Sequence, residues 1–263
     1  MRPVENLTAE VETARAVLRD ARQVVVLTGA GISTDSGIPD FRGPEGLWTK
    51  NPEAEKTATL SHYVSDPELR QRNWKRLAEG SMWEGKAPNA GHRALVELER
   101  QGKLHTLITQ NVDGLHRAAG TSEERLVEIH GTTSKVRCLD CGDTAPMERA
   151  LERVRAGEAD PPCRLCGGIL KSATISFGQN LVLADLHRSE QAAVDCDVML
   201  AVGSTLTVYP IANVVPIAHQ SGAAVVIVNA EPTPFDGLAA AVVPASISDA
   251  LPLIVARGTG GDW

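Results

Sequence analysis

Two Cys-x-x-Cys pairs, Cys138-Leu139-Asp140-Cys141 and Cys163-Arg164-Leu165-Cys166, place four thiols at the spacing of a tetrahedral thiolate zinc site. Gly142 and Gly167-Gly168 follow the knuckles where tight turns are needed. Four sulfur ligands leave the metal no open position for water, so one structural zinc ion is expected. Two disulfides are the competing reading, disfavoured in a chain read as cytoplasmic. Cys196 stands apart and reads as a small buried residue.

A second group with chemical capacity is Gly29-Ala30-Gly31-Ile32-Ser33, which opens straight off the apolar run Val24-Val25-Val26-Leu27. Small residues at the carboxyl end of a strand let backbone amides approach a pyrophosphate. A hydride-transferring dehydrogenase is disfavoured, because Thr34 stands where the dinucleotide fingerprint needs its third glycine. The next segment reads as a shaped loop rather than a helix: Pro39 and Gly43 bracket Asp40, Phe41 and Arg42. An acid, an aromatic and a guanidinium on such a loop suit a lid over a bound ligand.

Polar groups recur at four further strand ends: Gln110-Asn111-Val112-Asp113, His130-Gly131, Gly203-Ser204-Thr205 and Asn229-Ala230-Glu231. Ligands of open α/β sheets gather outside the carboxyl ends of the strands. One such end means little, since a lone Asn or His is more often a turn former; four together with the Gly29 loop point to a site.

These groups need a frame. Val11, Ala14, Leu18 and Ala21 recur at helical spacing over residues 8–23. Residues 52–86 are polar and helical, with Tyr63, Leu69, Trp74, Leu77, Met82 and Trp83 on an apolar side. Asn89 caps a helix that ends near Gly102. Strands are predicted over residues 104–109, 126–129, 172–177, 198–202 and 225–228, and helices over about 184–195 and 211–220. This alternation predicts an α/β fold, a doubly wound, mostly parallel Rossmann-like sheet. A smaller lobe would join a zinc ribbon to the helical insertion. The expected division is a large domain over about 1–51, 87–130 and 171–263, and a small lobe from 52–86 and 131–170. Residues 258–263 read as a frayed tail.

With 263 residues and a formal net charge of -7, the chain can bury a substantial core and is no general polyanion binder. Direct nucleic-acid contact is not expected. Met1-Arg2-Pro3-Val4-Glu5-Asn6 lacks the layout of a secretory signal. Gly203, Pro210, Asn213 and Pro216 interrupt the uncharged stretch 200–218 too often for a membrane span. The expected setting is soluble and cytoplasmic.

The motifs above, with Gly37-Ile38-Pro39-Asp40-Phe41-Arg42, Glu128-Ile129-His130-Gly131, Phe177-Gly178 and Gly203-Ser204-Thr205-Leu206, occur in the order found in sirtuins. The resemblance to these Sir2-like, NAD-dependent protein lysine deacylases runs over about residues 8–255. It implies that NAD is consumed: the acyl oxygen of a modified lysine attacks the nicotinamide ribose, nicotinamide leaves, and an alkylamidate forms. His130 matches the general base, which takes a proton from a ribose hydroxyl on the way to free lysine and O-acyl-ADP-ribose.

By the same resemblance, Gly29, Ala30, Gly31 and Ser33 line the pyrophosphate, and Asp40, Phe41 and Arg42 form the cofactor loop, with Phe41 shielding the cleaved ribose from water. Gln110, Asn111 and Val112 belong to the ribose side, and Asp113 grips the nicotinamide amide. Gly203, Ser204, Thr205, Asn229, Ala230 and Glu231 correspond to the adenosine end. The acyl-lysine peptide lies between Ile175, Phe177 and Gly178 on one edge and Leu206 and Tyr209 on the other, pairing as an added strand.

Two departures stand out. Gln179-Asn180 replaces the acid that many relatives carry after Phe-Gly. The Tyr-x-x-Arg pair of succinyl- and malonyl-preferring sirtuins is missing from Asn73-Trp74-Lys75-Arg76, where Trp74 with Lys75 or Arg76 would line the acyl pocket differently. An uncharged acyl group, acetyl first, is therefore expected. ADP-ribosyl transfer to protein, or NAD sensing by a zinc-ribbon module without turnover, are the rival readings.

Overall fold

The computed structural model describes residues 3–40, 46–50, 58–80 and 85–256. Its strands are β1 Val24–Thr28, β2 Leu104–Thr109, β3 Leu126–Glu128, β4 Gly131–Cys138, β5 Thr144–Pro146, β6 Leu170–Thr174, β7 Val198–Val202, β8 Ala224–Val228 and β9 Ala241–Val243. Six of them form one sheet in the order β3-β2-β1-β7-β8-β9, with every pairing parallel.

The sequence reason is plain in β1, whose residues are all buried. Successive side chains point to opposite faces, so Val24 and Val26 join one core while Val25 and Leu27 join the other. The first core is closed by Leu7 and by helices Thr8–Asp20, Ala90–Arg100 and Ile247–Val255, through Val11, Leu95 and Leu251. The second is closed by Leu183–Asp195 and Val214–Gln220, through Ala192 and Val215.

From β1 the chain builds outward to β2 and β3, then returns to the other side of β1 as β7 and builds outward to β8 and β9. The order reverses between β1 and β7, and a crevice opens there at the carboxyl ends. Here the two halves touch closely: Gly29 N donates to Val202 O at 3.0 Å and Gly31 N to Gly203 O at 2.8 Å. A Cβ on Gly31 would lie 2.7 Å from Gly203 Cα, and Gly203 itself sits at φ +61° with Ile32 N only 2.5 Å from where its Cβ would be. Both positions therefore require glycine.

The second sheet, β5-β4-β6, is antiparallel and belongs to the cysteine module. Its core joins Val136, Met147, Leu151 and Leu170 to Trp74 from helix Pro67–Glu79. That helix starts as a good cap requires, with Asp66 accepting from Leu69 N and Pro67 in the first turn. Arg70, 8% exposed, holds it to the module through Asp160 at 2.8 Å.

Several expectations need correction. Ala30–Ser36 is a 3₁₀ helix rather than irregular loop, ending at Gly37 with φ 76°. The strand expected over 172–177 is β6, shifted toward Leu170, and Phe177 instead forms an isolated parallel bridge with Thr59. Trp74 is 1% exposed in the small core and does not line an acyl pocket. Cys196 is buried as read. Phe41, Arg42, Met82, Trp83 and the tail lie outside the described residues. No helix among the described residues is long and apolar enough to cross a membrane.

Candidate active site

A cavity of about 1620 Å³ opens at the crevice between the sheet's carboxyl ends and the second sheet. Single small-molecule pockets run to roughly 300–1,000 Å³, so there is room for two reactants. After β1 it is lined by Ala30, Gly31 and Asp40; after β2 by Gln110, Asn111 and Val112; and after β3 by His130. The far half supplies Gly203, Ser204, Thr205 and Tyr209, then Asn229, Ala230 and Glu231 after β8. Ile175, Phe177 and Gly178 line it beyond β6.

Four expected residues do not reach the cavity wall. Gly29 is enclosed against Gly203 and Ser204. Ser33 and Asp113 lie behind Asn111: Asn111 Nδ2 donates to Ser33 Oγ at 3.2 Å and to Gly29 O at 3.1 Å, and Ser33 Oγ donates to Asp113 Oδ2 at 2.7 Å. Asp113 Oδ1 takes Leu115 N at 2.9 Å, so this carboxylate is fixed from two sides. Leu206 is fully buried in the second core at φ 54°, a left-handed conformation costly for leucine and held there by packing. Its amide is taken by Ser204 Oγ at 3.2 Å. The Leu206 side chain thus packs inside the second core and does not reach the cavity wall.

His130 is held in one orientation. Its Nδ1 lies 3.0 Å from Gln110 O; a carbonyl only accepts, so Nδ1 carries the proton and Nε2 is the basic nitrogen of the neutral ring. Gly131 follows at φ +74°, where a Cβ would collide with Ala173 O. Gln110 also accepts from Ser204 Oγ at 3.1 Å, bridging the two halves, while its Nε2 is buried without a partner among the described residues. Gln110 lines the cavity, although this nitrogen itself has no exposed surface.

Gln179, which stands where many relatives carry an acid, closes the turn after β6: its Oε1 accepts from Ser176 N at 3.2 Å and its backbone amide donates to Ser176 O at 3.0 Å. Asn73, Arg76 and Leu77 line the cavity from the helical insertion, with Arg76 donating to Asn73 Oδ1 at 3.1 Å.

The four thiols come together with all sulfurs within 4.8 Å of one another. Cys138 and Cys166 sulfurs are 3.5 Å apart, and those of Cys141 and Cys163 3.7 Å. These separations are far beyond a disulfide and match the edges of a tetrahedron with metal–sulfur bonds of about 2.3 Å. The donor set fits one closed, structural zinc.

Sequence reasoning passed over Lys171, which is 4% exposed and lines the cavity. Burial pushes its ammonium down to about 8. A lysine in a short strand gives no sign that it turns inward.

It also passed over a buried histidine pair behind the first loop. Asn89 caps helix Ala90–Arg100 jointly with His92 and donates to Ile32 O at 2.7 Å and Ser36 Oγ at 3.0 Å, tying the cap to the 3₁₀ turn. The His92 and His116 rings are 4.8 Å apart, and His116 Nε2 meets Thr28 Oγ1 at 2.9 Å. Burial, with Arg93 second, pushes His92 down to about 4; burial, then His92, pushes His116 well below its ordinary value. The unfolded rings gain protons near pH 6.5 and the folded ones only at lower pH, so the stability of the neutral pair is complete above that value and is lost as pH falls. For His92 alone the loss between pH 7.5 and 5 is about 2 kcal/mol. Urea unfolding at the two pH values checks this, and a drop equally large in His92→Asn would contradict it.

Residues 29–210 match the family model described as the Sir2 family. The chain belongs to that family. It is 48% identical over 237 residues to NAD-dependent protein deacetylase 2 of Streptomyces coelicolor, covering 90% of this chain and 98% of that one. It is 39% identical to NAD-dependent protein deacylase 2 of Archaeoglobus fulgidus, over 94% of this chain and 95% of the other. Among solved structures, a Sir2–p53 peptide–NAD+ complex superposes with a TM-score of 0.78 at 32% identity, covering 90% of this chain and 93% of that one. Sir2Tm bound to a propionylated peptide gives 0.77 at 32%, with the same coverage of both chains. The parallel sheet, the antiparallel sheet and the four-cysteine cluster are thus a Sir2 enzyme's architecture.

Proposed function

We propose that this Sir2 enzyme removes acyl groups from protein lysine side chains at the expense of NAD, with acetyl preferred and nicotinamide, free lysine and O-acyl-ADP-ribose as products. The relatives' names support NAD-dependent deacylation. The observation that carries the reading is His130, a base with its proton held at Nδ1 against Gln110 O, set where the dinucleotide crevice meets the segment after β6. NAD supplies an anomeric carbon with a nicotinamide leaving group.

The chain's own groups do the rest. Ala30, Gly31, Gly203, Ser204 and Thr205 face the phosphates and adenosine, and Asn229, Ala230 and Glu231 the adenosine ribose. Gln110 and Asn111 serve the nicotinamide-side ribose, with Asp113 steadied by Ser33 behind them. By the family resemblance, Asp40, Phe41 and Arg42 are assigned the task of excluding water from the cleaved ribose. His130 Nε2 takes a proton from a ribose hydroxyl. Ile175, Phe177, Gly178 and Tyr209, with Leu206 beneath, receive the acylated peptide. The large domain over about 1–51, 87–130 and 171–263 holds the dinucleotide, and the lobe from 52–86 and 131–170 closes over the acyl group. Cys138, Cys141, Cys163 and Cys166 would hold the zinc with four sulfurs, which would keep the lobe folded and leave the ion no open position for a reactant.

Purified protein incubated with NAD and acetyl-, propionyl- and succinyl-lysine peptides is expected to release nicotinamide and free lysine in equal amounts, with the acetyl peptide fastest and O-acyl-ADP-ribose found by mass spectrometry. ADP-ribose attached to protein, or nicotinamide release indifferent to acyl peptide, would overturn the reading.

A further inference from the structure

Lys171 is a cation buried on the cavity wall, yet among the described residues it makes no ion pair. Its partners are neutral oxygens: Thr174 O at 2.6 Å, and Ser172 O and Thr174 Oγ1 at 3.2 Å each. They lie where the β4–β6 register breaks, between the Gly131 pairing with Thr174 and the Val136 pairing with Ser172. Across that gap the ladder cannot hold the strand, and the ammonium supplies the missing donors. Ser172 Oγ and Thr174 Oγ1, 2.9 Å apart, close the cluster.

The next bond gives this arrangement its meaning. Ile175 N donates to His130 O at 2.7 Å. Thr174 C=O and Ile175 N–H belong to one planar peptide unit, so that unit is gripped at its oxygen by Lys171 and at its nitrogen by the residue carrying the base. From the strong end of this grip the chain continues to Phe177, whose N and O are already engaged with Ala58 O and Leu60 N, each at 3.0 Å. The segment facing the acylated peptide is thereby referenced to His130 at one end and to the helical insertion at the other.

We propose that Lys171 is a positioning residue for the acylated substrate, clamping the peptide unit between Thr174 and Ile175 so that the substrate edge sits in fixed register with His130. The inference rests on the deacylase reading for its kinetic consequence, though not for its structural one. Methionine matches the lysine stem but brings no donor to the three oxygens.

The test compares Lys171→Met and Lys171→Arg with the unaltered protein. In Lys171→Met the KM for acetyl-lysine peptide is expected to rise about tenfold or more, while the KM for NAD stays within about twofold. Lys171→Arg, which restores donors, is expected to recover peptide KM to within about threefold. Backbone hydrogen exchange over residues 172–178 is expected to quicken in the methionine variant and recover in the arginine one. A peptide KM that does not move, a parallel rise in both KM values, or unchanged exchange each overturns the proposal. Should Lys171→Met fail to bind ADP-ribose, Lys171→Gln, which retains an uncharged NH2 donor, is measured against Lys171→Arg by the same criteria. Absence of deacylation by the unaltered protein would count against the proposed function instead, and the exchange measurement then decides the role of Lys171.

Discussion

Replacing His130 with alanine is expected to lower deacylation by about 10²- to 10⁴-fold while ADP-ribose binding stays within a few-fold of its original strength. The argument is local. The ring is oriented by the hydrogen bond from Nδ1 to Gln110 O, and most of the cavity wall proposed to hold the dinucleotide comes from other strand ends. Removing the imidazole takes away a base without emptying the site. His130 is also only part-buried, so its loss opens no large interior void. Calorimetric titration with ADP-ribose and product formation at saturating peptide measure the two halves of the claim. Peptide turnover that survives undiminished would remove His130 from the role of base.

The second large effect concerns the four thiols. Cys138→Ser or Cys166→Ser is expected to release about one zinc ion per chain, to lower the melting temperature and to abolish most deacylation, although no cysteine is proposed to touch a reactant. Zinc binding is folding free energy in such modules, about 10–16 kcal/mol in isolated zinc-finger peptides, and only part of that need be lost for the lobe to open. Cys138 and Cys163 are themselves 1% and 3% exposed in the small core beside Trp74 and Leu151. Cys138 pairs in register with Leu170, the first residue of β6, and β6 leads to Thr174 and Ile175. Loss of metal is thus transmitted along one strand to the substrate edge. Metal analysis and melting curves before and after a strong chelator check the claim; a melting curve that ignores the chelator speaks against it.

Much of the scaffold was legible because burial on both faces writes itself as uninterrupted apolar residues. Val24 to Leu27 and Val198 to Val202 are such runs, and they proved to be neighbours at the centre of the sheet. The polar residues at their ends could then be assigned to one crevice by topology alone. The features that escaped notice have equally physical causes. β4 is half-exposed and polar, from Thr132 to Lys135, so it carries no apolar run. β9 is three residues long, and the helix after it contains Pro252, which reads as a break. The inward turn of Lys171 depends on a break in register, and the burial of Leu206 on a left-handed backbone. Neither is encoded in residue type. Asp113 is expected from the resemblance to grip the nicotinamide amide; its bond to Ser33, away from the cavity wall, follows from packing across the sheet.

The reversal of strand order between β1 and β7 has an architectural result. The segment that includes helix Pro67–Glu79 departs after β1, and the cysteine module departs after β3, so both excursions begin at the same rim. Each contributes to a roof, the two joined through Trp74, while the floor beneath is laid by the carboxyl ends of the parallel strands. Under the proposed function, tailoring the roof to a new acyl guest would leave the floor's grip on the dinucleotide untouched, making the two halves of the recognition problem separable in a single chain.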